Sequence, residues 1–506
     1  MTPFLVALLA ACTFDSGGVA TPIDGGGGDL RLDDISVVTE THLVPDGLVA
    51  DGTSPDGMPS DSDAHAEGLL RDDAEPSDAI PEGFPRDDAQ PSDATPEGLL
   101  QDYGPHPDTL SPDTLSPDTL SPDSADPCAT CDPALGCNTV SGRCYLLLPS
   151  TLTESEVTSL PQATTNCDLS PGKNKTFDID TDDKLFATCT GVISEVFTQS
   201  NGPDLRVYVF PNLRIGAHAT IRFTGDNAVL LYAYRTIKIE GNIDATAHGA
   251  NPGPGGKASG ASDGDDGECW FTDGEGKGGK NSSFYDSGGG GGAHRQDGAK
   301  GGNSAMFSML AGGAGGSATN APTALAPLFG GCGGGAGSGD NDNGGGGGAG
   351  GGSLHLVAGS QLLISGKVNA GGGGGRGGQK GSAGGGGGGG GQVLLEAVTI
   401  TVSGVVAANG GGGGAGAKDA NDTKAKAGRD GQPSDQPAPG GASGGGNSGH
   451  GGNGGAKGAA ATNGETKTNA GGGGGGIGRI DANAANSTLG GIISPTQTTT
   501  STLNKY

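Results

Sequence analysis

Closely spaced carboxylates are the first residues in this chain that could do chemistry. The runs FDIDTDDK (177–184) and SDGDDGE (262–268) set Asp and Glu a few residues apart, as a loop wrapping oxygen ligands around calcium would. Neither run carries the bidentate glutamate twelve residues on. GSGDNDNGG around Asp340 lacks the apolar position of calcium-binding β-roll repeats. The reading is solvated loop charge, with no metal site. Eight histidines are scattered along the chain, and His248, His294 and His355 would have to converge from separate loops to hold a metal. No His-Glu-x-x-His, Gly-x-Ser-x-Gly or phosphate-loop pattern occurs, so no catalytic residue and no cofactor are expected.

A strand face carrying paired carboxylates would suit a polysaccharide lyase or hydrolase. Lys238, Glu240, Asp244, Lys367 and Glu396 are the residues such a face would use, yet their alternation with apolar positions is what any solvated strand face requires. The best lead for binding is aromatic. Trp270, the only tryptophan, lies beside Cys269, with Phe271, Phe284 and Tyr285 close in sequence, a grouping suited to contact with glycan or protein.

The elements that must position these residues are unusual. Of 506 residues only 32% are hydrophobic and 4% aromatic, and of 107 glycines 22 fall in residues 1–250 and 85 in 251–506. The second half, a third glycine without a Gly-X-Y period, is not collagen. Residues 13–127 hold 27 Asp and Glu against three Arg, which accounts for most of the net charge of −29. Proline and aspartate recur there, in a 15-residue unit repeated across 71–100 and in three copies of DTLSP from Asp108, so this stretch reads as an extended, disordered acidic stalk. Without clustered Lys and Arg, nucleic acid is excluded as a partner.

The opening MTPFLVALLAAC is an apolar run too short to span a bilayer. It resembles the signal peptide and lipobox of bacterial lipoproteins. The resemblance implies export, lipidation of Cys12 and a membrane partner through the lipid; Thr13 after the cysteine favours the outer membrane. Eight further cysteines suit an oxidising compartment. Cys128, Cys131, Cys137 and Cys144 read as a small disulfide knot (128–144), and Cys167, Cys189, Cys269 and Cys332 could form two more bridges, with connectivity open.

An internal repeat decides the fold class. TIKIEGNIDA (236–245), QLLISGKVNA (361–370) and TITVSGVVAA (399–408) share apolar-x-apolar-x-Gly-x-apolar-x-Ala. Each follows a second alternating strand ending in alanine: Val229-x-Leu231-x-Ala233, Leu354-x-Leu356-x-Ala358 and Val393-x-Leu395-x-Ala397. IGRIDA (477–482) is a partial fourth copy. A unit this small cannot bury its apolar face alone, so the copies must stack. The expectation is all-β: a parallel β-helix or β-solenoid built from 145–250 and 353–494, with a glycine-rich insert at 251–352, further inserts between repeats and a tail at 495–506.

The repeat and its glycine tracts resemble the glycine-rich β-solenoid surface lipoproteins of Gram-negative bacteria. The tracts themselves are similar to the polyglycine-II bundles of phage tail-fibre adhesins, in which side-chain-free helices bond to their neighbours. These resemblances imply a non-enzymatic surface protein, structural or adhesive, that contacts glycan or protein on a cell surface. A polysaccharide-degrading β-helix enzyme and a calcium-dependent surface-layer component are the alternatives. Deleting the first insert is expected to leave the sheets folded.

Overall fold

The computed structural model describes residues 147–497 except 283–284, 306–309 and 423–424, and the backbone of 137–138, 143–144 and 500–501. Cys12, Cys128, Cys131, Phe284 and the acidic stalk lie outside the described residues. β1 (Cys137–Asn138) and β2 (Arg143–Cys144) pair antiparallel with Cys137 and Cys144 as register partners. One six-residue helix, α1 (Glu154–Ser159), follows, its N-terminus closed by a capping box between Thr153 and Glu156.

The rest is strand and ordered irregular chain. Strands of two sheets alternate along the chain: β3 (Cys167–Leu169) and β4 (Lys175–Asp180), then, after β5 (Ile193–Phe197), β6 (Leu205–Ile215) and β7 (Ala219–Thr224), and β8 (Ala228–Ile239) and β9 (Asn242–Asp244). A small hairpin, β10 (Asn281–Ser282) and β11 (Tyr285–Asp286), lies in the first insert. Then come β12 (Ser353–Ile364) and β13 (Lys367–Asn369), β14 (Gln392–Val402) and β15 (Val405–Ala407), β16 (Arg479–Leu489) and β17 (Ile492–Ser494), and β18 (Thr500–Ser501). One set forms an eight-stranded sheet in the order β18-β16-β14-β12-β8-β6-β3, with β5 on β6; the other forms a six-stranded sheet, β17-β15-β13-β9-β7-β4. Every pairing in these two sheets is parallel except β5 with β6.

Register explains the repeat. Val229, Leu354, Val393 and Ile480 stand beside one another, as do Ile243, Val368, Val406 and Ile493 in the smaller sheet. These rows fill the core between the sheets. The two alternating strands expected in each copy are one continuous strand with a register shift, between Ala358 and Gln361 in β12. The copy beginning at Ile477 is complete, because β16 and β17 carry it on to Ser494. The repeat glycine is the turn between sheets. A Cβ on Gly366 would sit 1.8 Å from Gly241 O, and one on Gly404 2.0 Å from Gly366 O, so each corner rests on the backbone of the corner before it.

The first half of each long strand in the large sheet is buried on both faces, which is why VLLYA and VLLEA lack a strict apolar alternation. Its outer face, with Val207, Leu230, Tyr232, Val357 and Leu394, is covered by Leu152 and Ala163 from the segment around α1 and by Leu328 from the first insert.

The glycine tracts are ordered by main-chain bonds between tracts. Gly288 and Gly291 donate to Gly302 and Ala299, Gly289 and Gly292 to Gly384 and Gly387, and Gly290 and Ala293 to Lys277 and Gly274. Every third residue thus bonds the same neighbour. The carbonyls of the same tract accept from three others, at 313–316, 473–476 and 332–335. Tract 384–391 is equally surrounded: it donates to 470–476, 370–376 and 332–335, and accepts from 289–292, 411–414 and 348–351. A backbone this bare of side chains satisfies its polar groups only by such close neighbours. The first insert is therefore no dispensable appendage, contrary to the expectation above, because its tracts bond directly to those of the later inserts.

Candidate functional site

The tracts run out from the sheets and return, so their turns collect at two ends. Tract 370–378 leaves directly after β13, turns at 379–381 and returns as 382–391 to β14. In the first insert the turn at 269–273 lies at the sheet end: Trp270 Nε1 donates to Gly255 O (2.9 Å), and Gly255 N bonds Gly225 O at the turn before β8. The β10–β11 hairpin lies at the far end, where Asp286 N bonds Thr468 O. Tract 287–293 between them spans about 19 Å at about 3.1 Å per residue. Tyr285 is thus separated from Trp270 and Phe271, correcting the single aromatic grouping expected from sequence.

Around Trp270 the chain builds a rigid rim. The Cys269–Cys332 disulfide ties the turn to tract 330–338, and Cys167–Cys189 is the other bridge described. Phe271 packs edge-on to Phe329 (6.0 Å between centroids), which is itself buried and stacked on His294. Lys257 Nζ lies 3.8 Å over the Trp270 ring and 3.8 Å from the Glu268 carboxylate. Lys257, Glu268, Trp270, Phe271, Thr272 and Glu275 line a shallow depression of about 540 Å³. Lys277 binds Glu275 at 2.5 Å and Asp266 at 3.3 Å on the same side. Lys257, thirteen positions before Trp270, carries no sequence signal of this contact.

The strand-face carboxylates do not form one cluster. Glu240 is held by Arg214 (2.8 Å) and Lys238 (2.8 Å), and bonds from these two cations lower its pKa. Asp244 lies 3.3 Å from His248, which also reaches Asp430 at 3.5 Å. Bonds from these two carboxylates raise the imidazole to about 9. Burial pushes the Asp244 carboxyl up, but His248 and Thr246 more than offset it and the pKa falls. Lys367 is exposed on β13. Glu396 is on the other sheet, buried, 3.0 Å from buried His355. A general acid needs a raised carboxyl pKa, and these three are lowered.

The histidines are equally separate. His294 is buried, and burial lowers its pKa to about 4. Among the described residues no group of three or more His, Cys, Asp or Glu could hold a metal ion, and no helix is long and apolar enough to cross a membrane. In FDIDTDDK, Asp178 pairs with Arg222, Asp180 accepts from the Asp182 amide, and Asp182 accepts from Asn227.

No known family, curated protein or solved structure matches this chain. Its chemistry rests on its own residues, and at the far end these are acidic. Asp263 Oδ1 accepts from Gly344 N and its Oδ2 from Asp342 N, joining the two acidic runs across separate turns. Asp286 is 8% exposed beside them, and burial lifts its carboxyl to about 6, with the charge of Asp340 adding to the effect. The folded chain therefore holds this proton more tightly than the unfolded one, and ionised Asp286 destabilises the fold above about pH 6. Asp286→Asn is expected to raise the melting temperature at neutral pH, with the gain shrinking as pH falls through about 6 and vanishing near the ordinary aspartate value of 3.8. Differential scanning calorimetry across that range checks it; a gain that stays constant with pH would assign the effect to something other than this proton.

Proposed function

We propose that this chain is a non-enzymatic, lipid-anchored protein of the bacterial outer membrane or cell surface, structural or adhesive in role. Its head is a β-solenoid whose inserts pack as a polyglycine-II bundle. The observation that carries this reading is the bundle itself. Tracts from all three inserts bond to one another through main chain, and turns from each insert emerge together at the end away from the sheets. Such a bundle spends a third of its residues on rigidity and little on side-chain chemistry, which suits display rather than turnover.

The anchor comes from the resemblance of 1–12 to a lipobox, and the reach from the acidic stalk. The enzyme alternative is disfavoured because Glu240, Asp244 and Glu396 are each paired with a cation or histidine and their pKa values are lowered. The test is Cys12→Ala in a Gram-negative host fed labelled palmitate. Wild type should take up label, pellet with outer membranes and let cells adhere to a glycan-coated surface; the variant should lose all three. Label persisting in the variant removes the anchor, and adhesion equal in both strains removes the adhesive role.

A further inference from the structure

The depression at the sheet end of the first insert has a chemistry that the display role leaves unspecified. We infer that it is a saccharide-binding subsite, with Trp270 as stacking platform and a neutral, carboxylate-free sugar as ligand. This deepens the adhesive reading and rests on it for the source of the glycan.

An aromatic residue that only holds the insert together is buried, as Phe329 is here at 1% exposed. Trp270 and Phe271 remain partly exposed, although both are anchored on their inner sides. Trp270 is held by its indole N–H on Gly255 O and by the disulfide at the preceding residue, and Phe271 by its packing on Phe329. An exposed aromatic already held in one place loses little freedom when a ligand stacks on it. Its indole N–H is spent on backbone and Lys257 Nζ covers one face at 3.8 Å, so the partly exposed remainder of the ring is the apolar surface offered to a ligand.

The polar rim completes the match. A pyranose has an apolar C–H face and an edge of hydroxyls that both donate and accept. Lys257, placed over the ring, supplies donors, while Glu268, whose side chain is 63% exposed, and Glu275 supply acceptors beside the Thr272 hydroxyl. Charge narrows the class. Asp266, Glu268 and Glu275 face Lys257 and Lys277, three carboxylates against two ammonium groups, so a uronate or sulfated sugar would meet net repulsion.

Trp270 is the only tryptophan of the chain, so tryptophan fluorescence reports on this depression alone. The purified full chain is titrated with tetrasaccharides of β1,4-glucose, β1,4-N-acetylglucosamine, α1,4-glucose and β1,4-mannose, and with tetragalacturonate. At least one neutral probe should give a saturable change in emission, with tetragalacturonate at least about tenfold weaker. Calorimetric titration of Trp270→Ala and, separately, Glu275→Gln, each with an unchanged melting temperature, should show affinity for that probe reduced about tenfold or more. The second variant serves if the first is unstable. The subsite is overturned by no response to any neutral probe, by galacturonate binding as tightly, or by unchanged affinity in the folded variants. The titration needs no membrane or cell, so its failure leaves the anchor and display reading standing, and failure of the palmitate test leaves the subsite standing.

Discussion

Gly386→Val is expected to cost the protein about 4 kcal/mol or more and to lower its melting temperature by many degrees. Gly386 sits within the run 384–391; its N–H bonds Gly335 O, and its carbonyl accepts from Gly348 N. A Cβ placed there would lie 2.0 Å from Gly290 O and 2.4 Å from Gly290 C. Ordinary contact begins near 3.4 Å, so two backbones would have to part by more than an ångström. Neither can yield cheaply. Gly290 donates to Lys277 O and accepts from Gly335 N, so moving it breaks bonds on further tracts, each worth about 1 kcal/mol. Gly172→Ala is the control: it is exposed and has nothing within 4 Å of the added carbon. Thermal unfolding followed by circular dichroism measures both. A Gly386→Val protein that melts with wild type would mean that the tract is not packed in this way.

Glu396→Gln is expected to destabilise the fold by about 2–4 kcal/mol at neutral pH, with the loss fading in acid. Glu396 is 2% exposed on the outer face of the large sheet, under the segment around α1. Its carboxylate accepts from Ser150 N (2.9 Å) and Asn483 Nδ2 (2.7 Å) and lies 3.0 Å from His355, whose other ring nitrogen meets the Thr151 hydroxyl at 2.9 Å. Burial alone would raise its pKa. The charge and hydrogen bond of His355 and the bond from Ser150 outweigh burial and hold the carboxyl at about 2, below its ordinary 4.5. A depressed carboxyl stabilises the fold fully above its unfolded value, and the contribution is lost as pH falls from about 4.5 through about 2. Wild type should therefore lose more stability than Glu396→Gln across that window, and the two should converge at its lower end. Parallel curves would show that the carboxylate charge does not hold the cover to the sheet.

Sequence periodicity reached the stacked strands because their signal is local. Ile237, Gly241 and Ile243 repeat as Leu362, Gly366 and Val368 because equivalent positions meet in register. The last copy was half hidden because β16 ends in Asn486, Ser487 and Thr488, exposed where its partners carry Thr399, Ile400 and Thr401. His355 and Glu396 were invisible as a pair: they stand in apolar runs on different strands, and the cover that buries them comes from more than 200 residues earlier.

What the residues alone determined is the all-β class, the stacking unit and the glycine corner. Each follows from side-chain periodicity or spacing within a few tens of residues. Only the tertiary structure decided that the glycine tracts are ordered, that Trp270 and Tyr285 lie at opposite ends, and that the carboxylates are separated and neutralised. The physical reason is the same in each case. Glycine tracts are held by main-chain bonds to partners far away in sequence, and a residue without a side chain leaves no trace of which partner it meets.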